Sequence, residues 1–177
     1  MAHQRMIDSL DKVQEVADDF EEHFGRKTGG LLRTYRTEGA ETIVLALGSV
    51  IGTLKDVIDE LQLDGNSIGL VGLTCFRPFP FEAVAAALKD AKRVVILEKA
   101  FSTGTGGIVT QDVARAIEGL GLKDFTVIAG LGGRPITINS LRVYLEAAMV
   151  EQVQRLTFLD LEEDVIDAEI MKERALR

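Results

Sequence analysis

Four short stretches carry residue types that could do chemistry, and each follows an apolar run. They are Gly48-Ser49, Phe76-Arg77-Pro78-Phe79-Pro80-Phe81, the segment from Glu98-Lys99 through Thr103-Gly104-Thr105-Gly106-Gly107, and Gly130-Leu131-Gly132-Gly133-Arg134. Glycine-rich loops let backbone N–H groups close around a phosphate or carboxylate, so anion contact is the chemistry these stretches would support. Arg77, Lys99 and Arg134 would add charge, and Ser49, Thr103 and Thr105 hydroxyls. The same glycines would equally serve tight turns and close packing. Neither central loop matches a nucleotide fingerprint. Gly104-Thr105-Gly106-Gly107 lacks the third glycine spacing of the dinucleotide motif, and Gly48 to Gly52 has no following lysine. Ser49, just before a helical run, also reads as an N-cap.

Covalent and acid–base chemistry finds less support. Glu98 is the best placed carboxylate, at a strand end, but no partner group is apparent. Cys75 reads as a small buried side chain with no base to activate it. His3 and His23 share one N-terminal segment and read as solvated. A single cysteine excludes an internal disulfide, a four-cysteine zinc site and an iron–sulfur cluster held by this chain alone. No catalytic residue is assigned.

Composition sets the remaining bounds. With 177 residues, 46% of them hydrophobic, the chain suffices for one domain with a sizeable core. Twenty Lys and Arg against 28 Asp and Glu give a net charge of −8 without a basic cluster, so nucleic acid and anionic membrane are poor partners. No apolar run approaches the ~20 residues of a membrane span. A cytoplasmic location is expected.

The elements that must position these residues follow from hydrophobic period. Met6, Leu10, Val13, Ala17, Phe20 and Phe24 mark a helix from about His3 to Phe24, its stripe facing either this domain or another chain. Leu31 to Arg36 alternates like an edge strand. Four buried strands follow: Thr42–Leu47, Ile68–Leu73, Arg93–Leu97 and Phe125–Ala129. Each leads through a loop to a helix, predicted over 50–61, from Pro80 to Lys89, over 108–120, and over 140–152 with Thr137 as its cap. Glycines 69 and 72 would weaken their strand unless something packs close to its backbone. This alternation predicts a three-layer α/β/α domain with a five-stranded, mostly parallel sheet and an antiparallel first strand. The expected division is a linker or docking helix over 1–30, the α/β domain over 31–153, and an acidic helical tail over 154–177.

Residues Tyr35 to Thr137 resemble the C-terminal domain of the α chain of 2-oxoacid:ferredoxin oxidoreductases. The residues carrying the resemblance are Leu45-Ala46-Leu47-Gly48-Ser49 with Gly52-Thr53, the corner Phe76 to Pro80, Val95 to Lys99 with Gly104 to Gly107, and Ala129 to Arg134. Lys99-Ala100 departs from the arginine-led loop of that family. The resemblance implies a fold similar to the transketolase C-terminal domain, within an enzyme that oxidatively decarboxylates a 2-oxoacid, pyruvate in the best-known case, to an acyl-coenzyme A. Thiamine diphosphate, magnesium and iron–sulfur clusters would sit on partner domains or subunits, and ferredoxin and coenzyme A would engage the whole complex. The chain alone would be inert, a brace and subunit interface. Ser49, Arg77, Lys99, Thr103, Gly104, Thr105, Gly106, Gly107 and Arg134 are its candidate interface or anion contacts. The alternative is a free-standing module binding a small anion or nucleotide, or a scaffolding protein.

Overall fold

The protein is described by a computed structural model covering residues 1–176. Helix α1 (Ala2–Phe24) is followed by β1 (Leu32–Tyr35), β2 (Thr42–Leu47), α2 (Val50–Leu63), β3 (Ile68–Leu73), α3 (Phe81–Leu88) and β4 (Arg93–Glu98). Next come a small hairpin, β5 (Phe101–Ser102) with β6 (Gly106–Gly107), then α4 (Ile108–Ala116), β7 (Lys123–Ile128), α5 (Ile138–Met149), β8 (Leu156–Phe158) and α6 (Glu163–Ala175).

The main sheet has six strands in the order β1-β3-β2-β4-β7-β8. All neighbours are parallel except β1, which runs antiparallel to β3 with Leu32 opposite Leu73. The period of two along the strands sends alternate residues to opposite faces. Val44, Val95 and Val127 therefore meet Leu54, Leu61, Leu141 and Leu145 of α2 and α5 on one face. Leu45, Val94 and Ile96 meet Val84, Leu88 and Val113 of α3 and α4 on the other. Each fully buried Leu or Ile contributes roughly 1.5–3 kcal/mol, so the central strands are anchored from both sides.

Close approach explains the glycines of β3. A Cβ at Gly69 would lie 2.5 Å from the Arg36 carbonyl oxygen, and one at Gly72 would lie 2.9 Å from Ile51 Cδ1. The expected three-layer, mostly parallel architecture with an antiparallel first strand is present, with one correction: six strands rather than five. The sixth, β8, is three residues long and has no hydrophobic run of its own; pairing with β7, Val127 opposite Thr157, creates it. Only Ala17 of α1 is buried, and α6 buries no side chain. The Arg77–Pro78 peptide is cis.

Candidate functional site

The β2–α2 connection moves to one face of the sheet and the β4–α4 connection to the other, although β2 and β4 are neighbours. Diverging connections open a crevice at the carboxyl ends of the two strands, the place where open α/β sheets collect ligands. One side of it is apolar, a cavity of about 380 Å³ walled by Leu47, Phe76, Leu97, Ile108 and Val109. The adjoining side is polar, about 210 Å³, and is lined by Ser49, Thr53, Lys99 and Arg134 without any carboxylate residue. Ser49 and Lys99 line both cavities.

Three of the residues singled out in the sequence thus converge. Ser49 stands at the N-cap position of α2, but its side chain makes no capping bond. Lys99 is exposed, and its stem crosses Gly130, where an added Cβ would approach Lys99 Cε to 3.1 Å. Gly130 has φ +74, a conformation that glycine adopts without penalty. Arg134 is tied outward: it donates to the Asp160 carbonyl oxygen at 2.5 Å and pairs with Glu162 Oε1 at 2.9 Å.

The remaining candidates lie elsewhere. Thr103, Gly104 and Thr105 form the exposed tip of the β5–β6 hairpin, closed by Thr105 N donating to Ser102 O at 2.9 Å. Phe101 at the hairpin base packs edge-on against Phe158 of β8, with ring centroids 4.9 Å apart. Arg77 does not line the crevice. Its guanidinium lies 3.9 Å from the Phe76 ring centroid and reaches Asp112 Oδ2 of α4 at 2.8 Å. Cys75 is partly exposed, its thiol directed at Pro78 O 3.5 Å away. His23 bonds Asp19 O on its own exposed helix.

Glu98 has a role that the sequence reading missed. It is 3% exposed, and its carboxylate accepts from Val109 N at 2.7 Å, Thr110 N at 2.9 Å and Thr110 Oγ1 at 2.6 Å. The strand end supplies the anion that the α4 N-terminus prefers. Gly107 makes room for it, because a Cβ there would lie 2.0 Å from Glu98 Oε1. A carboxylate engaged by three donors in this way is a structural anchor rather than a free general acid or base. The signal available in the sequence was a glycine immediately before a helix, downstream of a strand-end carboxylate.

The groups with displaced pKa values lie outside the crevice. The Lys92 ammonium, bonded to Glu41, lowers that carboxyl, and Lys123 does the same for Glu151. Asp59 is lowered first by the Tyr35 hydroxyl and then by Arg36.

Residues 40–141 match the family described as pyruvate:ferredoxin oxidoreductase core domain II. The chain belongs to this family. Among similar proteins is the pyruvate synthase subunit PorA of Methanosarcina barkeri, 35% identical over 172 residues, which cover 92% of this chain and 42% of PorA. PorA of Methanocaldococcus jannaschii is 38% identical over 135 residues, 75% of this chain and 34% of that protein. The ketoisovalerate oxidoreductase subunit VorA of Pyrococcus horikoshii is 31% identical over 138 residues, 76% of this chain and 34% of VorA. This core domain II chain therefore spans less than half the length of these relatives. The solved 2-oxoglutarate:ferredoxin oxidoreductase of Magnetococcus marinus shares the fold, with a TM-score of 0.52 at 18% identity over 74% of this chain and 21% of that one. No helix among the described residues is long and apolar enough to cross a membrane.

Proposed function

We propose that this core domain II chain is the structural and subunit-interface domain of a 2-oxoacid:ferredoxin oxidoreductase α chain, working in the cytoplasm. Its similarity to PorA, at 35% identity across 92% of the chain, is the observation that carries this reading. The lower identity to VorA, 31%, favours pyruvate as the substrate of the whole enzyme. Within the chain, α1 and residues up to 30 serve as a docking helix, the α/β body holds the interface, and the acidic tail from 154 attaches through β8. Arg77 and the exposed hairpin tip Thr103 to Thr105 are the contacts offered to neighbouring domains, whereas Gly107 is buried against Glu98 and is not one of them.

Thiamine diphosphate, magnesium and iron–sulfur clusters belong to partner domains in this reading, and ferredoxin and coenzyme A to the whole complex. This chain supplies neither the cysteines of a cluster nor the magnesium–diphosphate motif. There is one cysteine and no Gly-Asp-Gly with a downstream asparagine. Among the described residues no group of three or more His, Cys, Asp or Glu is close enough to hold a metal ion. The carboxylate nearest the crevice, Glu98, is held by the start of α4. In this reading the chain contributes position: a sheet that braces the domains doing the chemistry.

The test is a pull-down of the tagged chain from anaerobic extract of the source organism, assaying the eluate for thiamine diphosphate, iron and 2-oxoacid-dependent dye reduction. Recovery of a cofactor-bearing partner with activity is expected. The chain recovered alone, without activity, would overturn the assignment.

A further inference from the structure

We propose that the crevice between the ends of β2 and β4 is a binding site for a small amphipathic phosphate ester, a nucleoside diphosphate being its simplest form. The two cavities have complementary characters and share a seam. The larger, about 380 Å³, is walled by apolar side chains including the Phe76 ring and is of a size to take a heterocycle. The smaller, about 210 Å³, presents Lys99, Arg134 and the hydroxyls of Ser49 and Thr53. In a chain of net charge −8, a pocket with two cations and no carboxylate residue in its lining selects for anions. Ser49 and Lys99, common to both cavities, stand where the ester oxygen between base-bearing and phosphoryl parts would lie.

The groups facing the pocket are uncommitted or exchangeable. The Ser49 hydroxyl makes no capping bond. Lys99 forms no ion pair among the described residues, whereas Arg134 is held at the rim by the Asp160 carbonyl oxygen at 2.5 Å and, through its other terminal nitrogen, by Glu162 Oε1 at 2.9 Å. Glu162 is 62% exposed, so a phosphoryl oxygen can replace it on the guanidinium. Glu98 lines the apolar side, where its oxygens are occupied by Val109 and Thr110 and the N-terminus of α4 partly offsets its charge. The crevice stands on its own geometry and does not depend on which enzyme the chain serves.

Titration calorimetry of the 177-residue chain at low salt, with ADP, inorganic phosphate and adenosine as separate probes, tests the site. ADP is expected to bind at least about tenfold more tightly than phosphate or adenosine, because only ADP engages both cavities. Lys99→Ala should weaken ADP by about tenfold or more. Glu162→Gln should tighten it by removing the carboxylate that competes for one terminal nitrogen of Arg134, the bond to the Asp160 carbonyl remaining, with circular dichroism melts unchanged for both variants. Absence of ADP binding, phosphate binding as tightly as ADP, an unaffected Lys99→Ala, or a Glu162→Gln variant no tighter than wild type would each overturn the proposal. A failed titration beside a successful pull-down would remove this site and leave the interface role standing.

Discussion

Glu98 is a buried charge that the fold tolerates because three donors converge on it, two backbone N–H groups and the Thr110 hydroxyl. Its removal should therefore be graded. Glu98→Gln keeps the shape and is expected to cost about 1–2 kcal/mol in urea unfolding, while Glu98→Ala, which orphans the donors at the start of α4, should cost more. Gly107→Ala attacks the same contact from the other side. With only 2.0 Å between the new methyl and Glu98 Oε1, it should destabilise by about 2–3 kcal/mol although φ −67 suits alanine. A Gly107→Ala variant as stable as wild type would mean that the carboxylate is not fixed there. Asp59 behaves differently, being half-buried and bonded to Tyr35 and Arg36. Its carboxyl lies below the usual range, chiefly through the Tyr35 hydroxyl. A lowered folded pKa means that its contribution is present above the ordinary carboxylate pKa and is lost as pH falls through the lowered value. Urea midpoints of wild type and Asp59→Asn should differ at neutral pH and converge as the solution is acidified through that window.

The elements divide into those that packing on two faces makes legible and those that partners create. The central strands read directly as apolar runs: the bounds of β2 and β3 match residue for residue, and those of β4 to within its last residue, because burial on both faces keeps the middle of each run apolar. Helix α4 stops at Ala116, short of the expected Leu120, since Ile117 already turns the chain toward β7. Strand β8 was invisible for the opposite reason. Leu156-Thr157-Phe158 is too short for a period, and its bonds, such as Leu159 N to Ile128 O at 2.9 Å, exist only once β7 is present. The crevice was legible as residue types but not as a cluster. Ser49, Lys99 and Arg134 meet because β2, β4 and β7 are consecutive in the sheet, and strand order is a tertiary property. Truncation separates the two parts of the tail. Removing residues 163–177 takes away a helix with no buried side chain and should change unfolding free energy by less than about 0.5 kcal/mol. Removal from 154 onward also strips β8 and the half-buried Phe158 and Leu159 from the core, and should cost more than about 2 kcal/mol. Equal losses from the two truncations would contradict the six-stranded sheet.

At the scale of the whole molecule, a two-faced core coexists with apolar residues left outside it. Phe24 is 63% exposed on α1 and Met171 70% on α6, beyond a body whose interior is already filled. Under the proposed interface role, exposed apolar side chains of this kind belong to the surface offered to partners. Arg77 is an ordered side chain on the exterior. Stacked on Phe76 and paired with Asp112, its guanidinium has already lost the rotamer freedom that binding would otherwise cost, which is what a good interface anchor requires. Because Arg77 is about half exposed, solvent screens the pair and it adds little to folding itself. Arg77→Ala is therefore expected to shift the melting temperature by no more than about 2 °C. The same variant should weaken association with the partner recovered in the pull-down by about tenfold or more, measured by biolayer interferometry. Arg77→Lys, which keeps the charge but loses the planar face over Phe76, should fall between the two. An unchanged association rate and affinity in Arg77→Ala would move the interface to another face of the sheet, while a large loss of melting temperature would make the arginine a structural clamp on α4.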